Sequence, residues 1–128
     1  MIWLVILVLM LSASLSAAQS FSLGDLAAQN DLYFGSVAWS YHLDVPAYRD
    51  TLAREFNMFT PEHELKWCMI STGPGEYDFS TIDALLDFAV ENDMVIRGHT
   101  LVWHSCSPAW VEEADWSREE AIDVLQEH

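Results

Sequence analysis

The sequence predicts an α/β fold built on a parallel sheet. Three short apolar runs of β-forming residues are each followed by a segment whose apolar residues recur every three or four positions, which is the spacing of one helix face. No hairpin turn signature separates one apolar run from the next. Strands that alternate with helices in this way pair in parallel, so the order of the elements predicts the fold class.

The first strand is predicted within residues 31–39, which are apolar and β-prone. Asp44 is placed to cap the helix that follows, and Pro46 falls in its first turn, where the missing N–H costs nothing. The apolar face of this helix comprises Val45, Tyr48, Leu52 and Phe56.

The second strand is predicted at residues 56–60 and feeds a turn at Pro61. A short helical turn after it would bring Glu62 and Lys66 onto one face. Residues 73–75 form a loop, and Ser80 begins a capping box for the second helix. The apolar stripe of that helix comprises Ile82, Leu85, Leu86 and Ala89.

The third strand is predicted at residues 94–100, and residues 105–116 are irregular. Ser117 and Glu120 then form a second capping box, which begins the third helix.

Residues 1–18 are predicted to be a secretory signal peptide. Residues 1–11 are almost wholly apolar, and small residues follow, with Ser16 and Ala18 at the positions that a signal peptidase reads. The run is too short to span a bilayer as a helix, although the lack of Lys or Arg before it leaves a signal anchor open. We expect residues 19–128 to be secreted and extracellular, with no membrane contact after cleavage.

The formal net charge of −15 and the pI near 4.3 exclude binding to nucleic acid or anionic lipid as a main function. Neutral ligands such as sugars remain compatible with this charge. Cys68 and Cys106 are the two cysteines, and in an oxidising compartment they form either one disulfide or two free thiols.

Polar side chains follow the second and third strands, where chemistry collects in parallel α/β folds. Glu62 accepts and Lys66, the only lysine, donates hydrogen bonds to hydroxyl groups, while Trp103 offers a flat apolar face for a sugar ring. The six candidate binding residues are Glu62, His63, Lys66, His99, Trp103 and His104.

Plainer interpretations stay open at this stage. His99 and His104 also fit satisfied core histidines, and Glu62 with Lys66 fits a surface ion pair. A zinc site is a weaker alternative, because its candidate ligands lack the short paired spacings of structural zinc sites. Those ligands are Cys68, His99, His104 and Cys106. We expect no metal and no cofactor.

Several motifs in order and at matching spacing resemble glycoside hydrolase family 10, the secreted endo-xylanases, from about Phe34 to the last residue. They are Phe56-Asn57, Thr60-Pro61-Glu62, Lys66-Trp67, Gly75-Glu76-Tyr77-Asp78-Phe79 and Arg97-Gly98-His99-Thr100-Leu101-Val102-Trp103-His104, with Pro108 and Trp110 beyond.

The resemblance implies a (β/α)₈ barrel that hydrolyses β-1,4-xylan with retention, using two glutamates about 5 Å apart. It implies that Glu62 and Lys66 bind the xylose units on the non-reducing side. His99 and Trp103 would hold the sugar at the cleavage point, and His104 would support the acid/base region. Xylan or a xylo-oligosaccharide is the expected partner, and the oligomeric state stays open.

Two positions depart from the family pattern: His63 stands where an asparagine is usual, and Cys106 stands where a glutamine is usual. A complete barrel needs roughly 250 residues. We therefore expect residues 19–128 to be an incomplete catalytic domain, comprising its first three strand–helix units, without either catalytic glutamate and inactive alone. The alternative is a secreted sugar-binding module that does no catalysis.

Overall fold

The computed structural model describes residues 21–128, so the predicted signal peptide at residues 1–18 lies outside the described residues. Within residues 21–128, no helix is long and apolar enough to cross a membrane.

Six α-helices and five strands are described, with one 3₁₀ helix at Ser40–Asp44. In chain order they are α1 (Leu23–Ala28), β1 (Gly35–Ala38), α2 (Pro46–Glu55), β2 (Met58–Pro61), α3 (Trp67–Ile70), β3 (Ser71–Gly73), β4 (Glu76–Tyr77), α4 (Asp83–Glu91), β5 (Val95–Ile96), α5 (Ala109–Glu112) and α6 (Arg118–Glu127).

The main sheet has the strand order β1-β2-β5, and both pairings are parallel. Gly35 lies opposite Met58, which in turn lies opposite Val95. A side chain at Gly35 would bring a Cβ within 2.8 Å of the Met58 carbonyl oxygen, so this close strand approach requires glycine. The prediction of a parallel α/β fold is confirmed, although each strand is shorter than predicted.

The hydrophobic core lies on one face of this sheet, under α2 and α4. Phe59 of β2 is fully buried and packs with Leu52 of α2 and with Leu85 and Phe88 of α4. The Phe59 and Phe88 ring centroids are 6.2 Å apart and tilted, which is a favourable aromatic geometry. The apolar spacing correctly predicted that Leu52, Ile82, Leu85 and Ala89 cover the sheet, but Val45 and Leu86 of the predicted faces are 50% and 43% exposed.

The opposite face of the sheet is open. Val37 of β1 is 55% exposed and Val95 of β5 is 40% exposed. Side chains alternate between faces along a strand, so these valines lie on the face away from α2 and α4. The three strands thus form one layer, and no helix of residues 21–128 covers its second face.

One predicted helix cap forms and two do not. The Ser117 hydroxyl accepts a hydrogen bond from the Glu120 N–H at 3.3 Å, and the Glu120 carboxylate accepts one from the Ser117 N–H at 2.9 Å. At the predicted Ser80 box, the Asp78 carboxylate instead accepts the Ser80 N–H, and α4 begins later, with Ile82 in the cap position. Asp44 belongs to the 3₁₀ helix, so Val45 precedes α2 without a side-chain cap.

The loop predicted at residues 73–75 is the turn of a small antiparallel hairpin formed by β3 and β4. Gly75 has φ +69°, which suits glycine. This hairpin precedes α4 and stays outside the main sheet, so it does not change the parallel order.

Neighbouring leucines of α4 give a matched test of the core. Replacing the fully buried Leu85 with alanine leaves a cavity, and we expect the free energy of unfolding to fall by about 2–5 kcal/mol. Leu86→Ala on the same helix removes a side chain that is 43% exposed, and we expect a loss below about 1 kcal/mol. Urea unfolding followed by circular dichroism measures both, and equal losses would contradict the described orientation of α4.

Candidate functional site

The carboxyl ends of the three parallel strands lie at one edge of the sheet. The Glu62 N–H, just after β2, donates to the Ala38 carbonyl at the end of β1 at 2.9 Å, and the Arg97 N–H after β5 donates to Phe59 of β2 at 2.9 Å. These bonds hold the starts of three loops side by side. The predicted binding residues belong to the loops after β2 and β5.

Lys66 and Trp103 are brought into direct contact. The Lys66 Nζ lies 4.6 Å from the centroid of the Trp103 ring, although the two residues follow different strands. Lys66 is only 6% exposed, whereas Trp103 is 39% exposed. The His104 ring meets the Trp103 ring edge-on, with centroids 5.9 Å apart. Three of the six candidate residues therefore form one cluster.

The Lys66 ammonium has the indole face as its neighbour rather than a carboxylate. Within residues 21–128, the ion pairs join arginines to adjacent acidic residues, and no hydrogen bond or ion pair engages the Lys66 Nζ. A cation over an indole is stabilised by the negative ring face. The surface ion pair between Glu62 and Lys66 is therefore absent from the described residues.

Glu64 is the buried carboxylate of this region, with 6% exposure. Its Oε1 accepts the Ser40 N–H at 2.7 Å, and its Oε2 accepts the His63 N–H at 3.2 Å. Burial raises the pKa of the Glu64 carboxyl, but the hydrogen bonds from Ser40 and His63 outweigh it and hold the pKa below its ordinary value. Glu64 thereby ties the loop after β1 to the loop after β2.

The helical turn predicted to place Glu62 and Lys66 on one face is wrong. Residues 62–65 form bends and turns, and Lys66 has extended backbone angles (φ −71°, ψ 143°) before α3 begins at Trp67. The Glu64 carboxylate accepts the His63 N–H, a group that has no backbone partner in the first turn of a helix. Glu62 is exposed and Lys66 is buried as a result.

His63 faces a second group of aromatic side chains. Its ring centroid lies 4.7 Å from that of Trp39, the residue after β1, and Trp39 lies 4.6 Å from Tyr41. These three residues line a cavity of about 330 Å³ together with Glu64. The Trp39 Nε1 is buried without a hydrogen-bond partner among the described residues.

His99 lies in a different depression from His63. It is exposed and lines a largely apolar cavity of about 330 Å³, whose wall includes Leu65, Tyr77 and Leu101. The imidazole of His128 also lines this cavity, and its Nε2 lies 2.7 Å from the Leu101 carbonyl oxygen. His99 and His104 are both exposed, so neither is a core histidine.

Cys68 and Cys106 form a disulfide. This answers the question that the sequence left open between a disulfide and free thiols. It also removes both sulfur ligands of the zinc alternative, and within residues 21–128 no cluster of three or more His, Cys, Asp or Glu side chains could hold a metal ion.

Sequence reasoning missed Trp39 and Glu64. Trp39 could have been found by the rule applied to the other strands, because it directly follows the end of β1. Glu64 carried no such signal, since the sequence shows a carboxylate between His63 and Leu65 and gives no sign of its burial.

A family model described as Glycosyl hydrolase family 10 matches residues 22–128. Endo-1,4-beta-xylanase B of Thermotoga neapolitana is 36% identical over 115 residues, which are 87% of this chain and 33% of that protein. Beta-1,4-xylanase of Dictyoglomus thermophilum is 37% identical, with 98% of this chain and 36% of that protein covered. The chain thus spans about a third of the length of these curated relatives.

Solved structures agree with the sequence match. Xylanase 10B from Thermotoga petrophila RKU-1, in complex with xylobiose, superposes with a TM-score of 0.78 at 36% identity, covering 86% of this chain and 35% of that one. Native xylanase 10B from Thermotoga maritima gives 0.73 at 38% identity, covering 84% and 34%.

The fold and the comparisons with known proteins together show that this chain, with its strand–helix units, is part of a (β/α)₈ glycoside hydrolase barrel. The chain belongs to glycosyl hydrolase family 10. Its three parallel strand–helix units are the N-terminal part of that barrel.

The hydrogen bonds of Glu64 predict a pH dependence of stability. Its pKa is lowered on folding, so its stabilising contribution is complete above the ordinary value of 4.5 and is lost as the pH falls below it. We expect Glu64→Gln to flatten the acid limb of the unfolding free energy plotted against pH, measured by urea titration from pH 7 to pH 3.

Glu62→Gln is the matched control, because Glu62 is the exposed carboxylate two residues earlier. We expect its acid limb to run parallel to that of the unsubstituted chain. An unchanged acid limb in Glu64→Gln would show that the carboxylate does not hold these two loops in solution.

Proposed function

We propose that this chain carries the wall of a xylan-binding cleft on the non-reducing side of the cleavage point, as part of a retaining endo-1,4-beta-xylanase. The observation that carries the proposal is the contact between Lys66 and Trp103 at the carboxyl ends of neighbouring barrel strands. Family membership and the xylanase relatives support the choice of a xylose polymer as substrate. The xylobiose in the Thermotoga petrophila structure supports short xylo-oligosaccharides as ligands.

The chemistry of this contact suits a neutral sugar. The Lys66 ammonium has three N–H donors for sugar hydroxyls, and within residues 21–128 no carboxylate occupies them. The exposed part of Trp103 can cover the apolar face of a pyranose ring. A nearly buried cation has lost part of its hydration, so a hydroxyl that binds to it meets less competition from water.

Each remaining candidate residue has a proposed role. Exposed Glu62 accepts hydrogen bonds from hydroxyls farther along the chain of xylose units, with His63 beside it as a donor. His99 bonds the sugar at the cleavage point, and His104 orients Trp103 through their edge-on contact. We also propose that the protein is secreted, as the apolar first residues suggest.

The proposed chemistry of cleavage requires two carboxyl groups about 5 Å apart, one as acid/base and one as nucleophile. Glu64 is unsuited to either role, because both of its oxygens accept backbone N–H groups and it is buried. We infer that the catalytic pair comes from other barrel strands and that the 128-residue chain binds sugar without cleaving it. A sugar-binding module without catalysis is the second candidate, favoured by the same contact.

Binding to xylotriose tests the proposed wall. We expect Lys66→Met to weaken xylotriose binding by about tenfold or more in isothermal titration calorimetry, because a hydrogen bond to a charged donor is lost. Arg118→Met is the matched control: it also replaces a cation with methionine, and the Arg118 side chain is 80% exposed on α6. Equal affinities of both variants and the unsubstituted chain would contradict the proposed role of Lys66.

Hydrolysis gives a separate test. We expect the purified 128-residue chain to release no reducing sugar from xylan above the buffer rate, since both oxygens of Glu64, the buried carboxylate of this region, are occupied by backbone donors. Measured turnover that disappears in Glu64→Gln would overturn this expectation and assign catalysis to Glu64.

A further inference from the structure

The Cys68–Cys106 disulfide joins the two loops that carry the Lys66–Trp103 contact. Cys68 lies in the first turn of α3, two residues after Lys66, and Cys106 lies three residues after Trp103. The two Cα atoms are 5.1 Å apart, although the cysteines are separated by 38 positions in the chain. The covalent link thus bridges neighbouring barrel strands beside the proposed sugar-binding wall.

Backbone hydrogen bonds extend this link to the indole. The Cys68 N–H donates to the Cys106 carbonyl at 3.1 Å, and the Cys106 N–H donates to the Trp103 carbonyl at 2.9 Å. The Ser107 hydroxyl donates to the same Trp103 carbonyl at 3.3 Å. A continuous path of one covalent bond and two backbone hydrogen bonds therefore runs from α3 to the residue that carries the ring.

Few other contacts in the described residues hold the loop of Trp103, although the Leu101 carbonyl oxygen lies 2.7 Å from the His128 Nε2. Residues 101–105 are exposed and form neither helix nor strand. The ring contacts described for Trp103 are those with Lys66 and with its neighbour His104. A cation–π contact is weak when one partner is partly in water, so it cannot by itself order a loop of this kind.

We propose that the Cys68–Cys106 disulfide is a positioning element of the sugar-binding wall, which holds the Trp103 indole over the Lys66 ammonium so that this wall binds sugar more tightly in its oxidised form than in its reduced form. The proposal rests on the proposed function for its ligand, and it adds a redox condition to that site. Because the disulfide already orders the loop, the free energy of sugar binding is not reduced by the entropy lost in ordering it.

A dithiol reductant opens the link in a balanced step. The S–S bond breaks, two electrons and two protons pass from the dithiol to the sulfurs of Cys68 and Cys106, and the dithiol closes to its own disulfide. Both cysteines are then thiols, and Trp103 is tied to α3 only through hydrogen bonds.

The single lysine allows a direct test on the full chain. With lysine labelled with ¹³C at Cε, one methylene resonance reports Lys66, and we expect the Trp103 ring current to shift its protons upfield in the oxidised chain. Reduction with dithiothreitol should move this resonance towards the position of a free lysine, and reoxidation should restore it. Trp103→Leu with the disulfide intact is the control that assigns the upfield shift to the indole.

The double variant Cys68→Ser/Cys106→Ser should resemble the reduced chain and should not respond to dithiothreitol. Far-UV circular dichroism accompanies each spectrum to show that the helices persist. A Lys66 resonance unchanged by reduction would overturn the proposal, as would free thiols in the purified chain by mass spectrometry after alkylation. Loss of all helical signal on reduction would also overturn it, since the disulfide would then support the whole fold rather than this wall.

Calorimetry with xylotriose separates this proposal from the proposed function. We expect reduction to weaken binding by roughly tenfold. If the oxidised chain binds no xylotriose while the Lys66 resonance still responds to reduction, the proposed function fails and the positioning role stands. If xylotriose binds with equal affinity to both forms, the positioning role fails and the proposed function stands.

Discussion

The parallel register of β1, β2 and β5 is the constraint on which the candidate site depends. Parallel pairing sends all three strand ends to one edge, and the loops after them begin at neighbouring points. Lys66 and Trp103 follow different strands, so they can meet only because that register aligns their loops. The helices under the sheet fix the register, since a slip of one residue would move Phe59 out of the core.

Sequence patterns predicted the features that depend on how residue types are spaced along the chain. Apolar periodicity identified α2 and α4 and their buried leucines. The capping box predicted at Ser117 is present in the structure. The sequence patterns predicted the wrong helix starts where a carboxylate side chain accepts a hydrogen bond from a backbone N–H group. Asp78 binds the Ser80 N–H and Glu64 binds the His63 N–H, and in both places a predicted helix start gave way to a turn.

For the candidate site, too, the spacing of residues along the chain predicted some features and missed others. The apolar runs predicted that the candidate residues follow two neighbouring strands, and the structure has them after β2 and β5. They could not show that His63 turns towards Trp39 while His99 lines a separate cavity with His128. Such orientations depend on contacts between residues far apart in the chain, which one sequence does not reveal.

The one-sided core has a consequence for how the polypeptide assembles. Phe59, Leu52 and Leu85 bury one another on the helix side, and each strand pairs with the strand that precedes it in the main sheet. These contacts require only residues 35–96, so the first layer can form in sequence, one strand–helix unit at a time, as the chain leaves the ribosome. In a closed (β/α)₈ barrel the helices lie outside, so the open valine face is the one that would line the barrel interior.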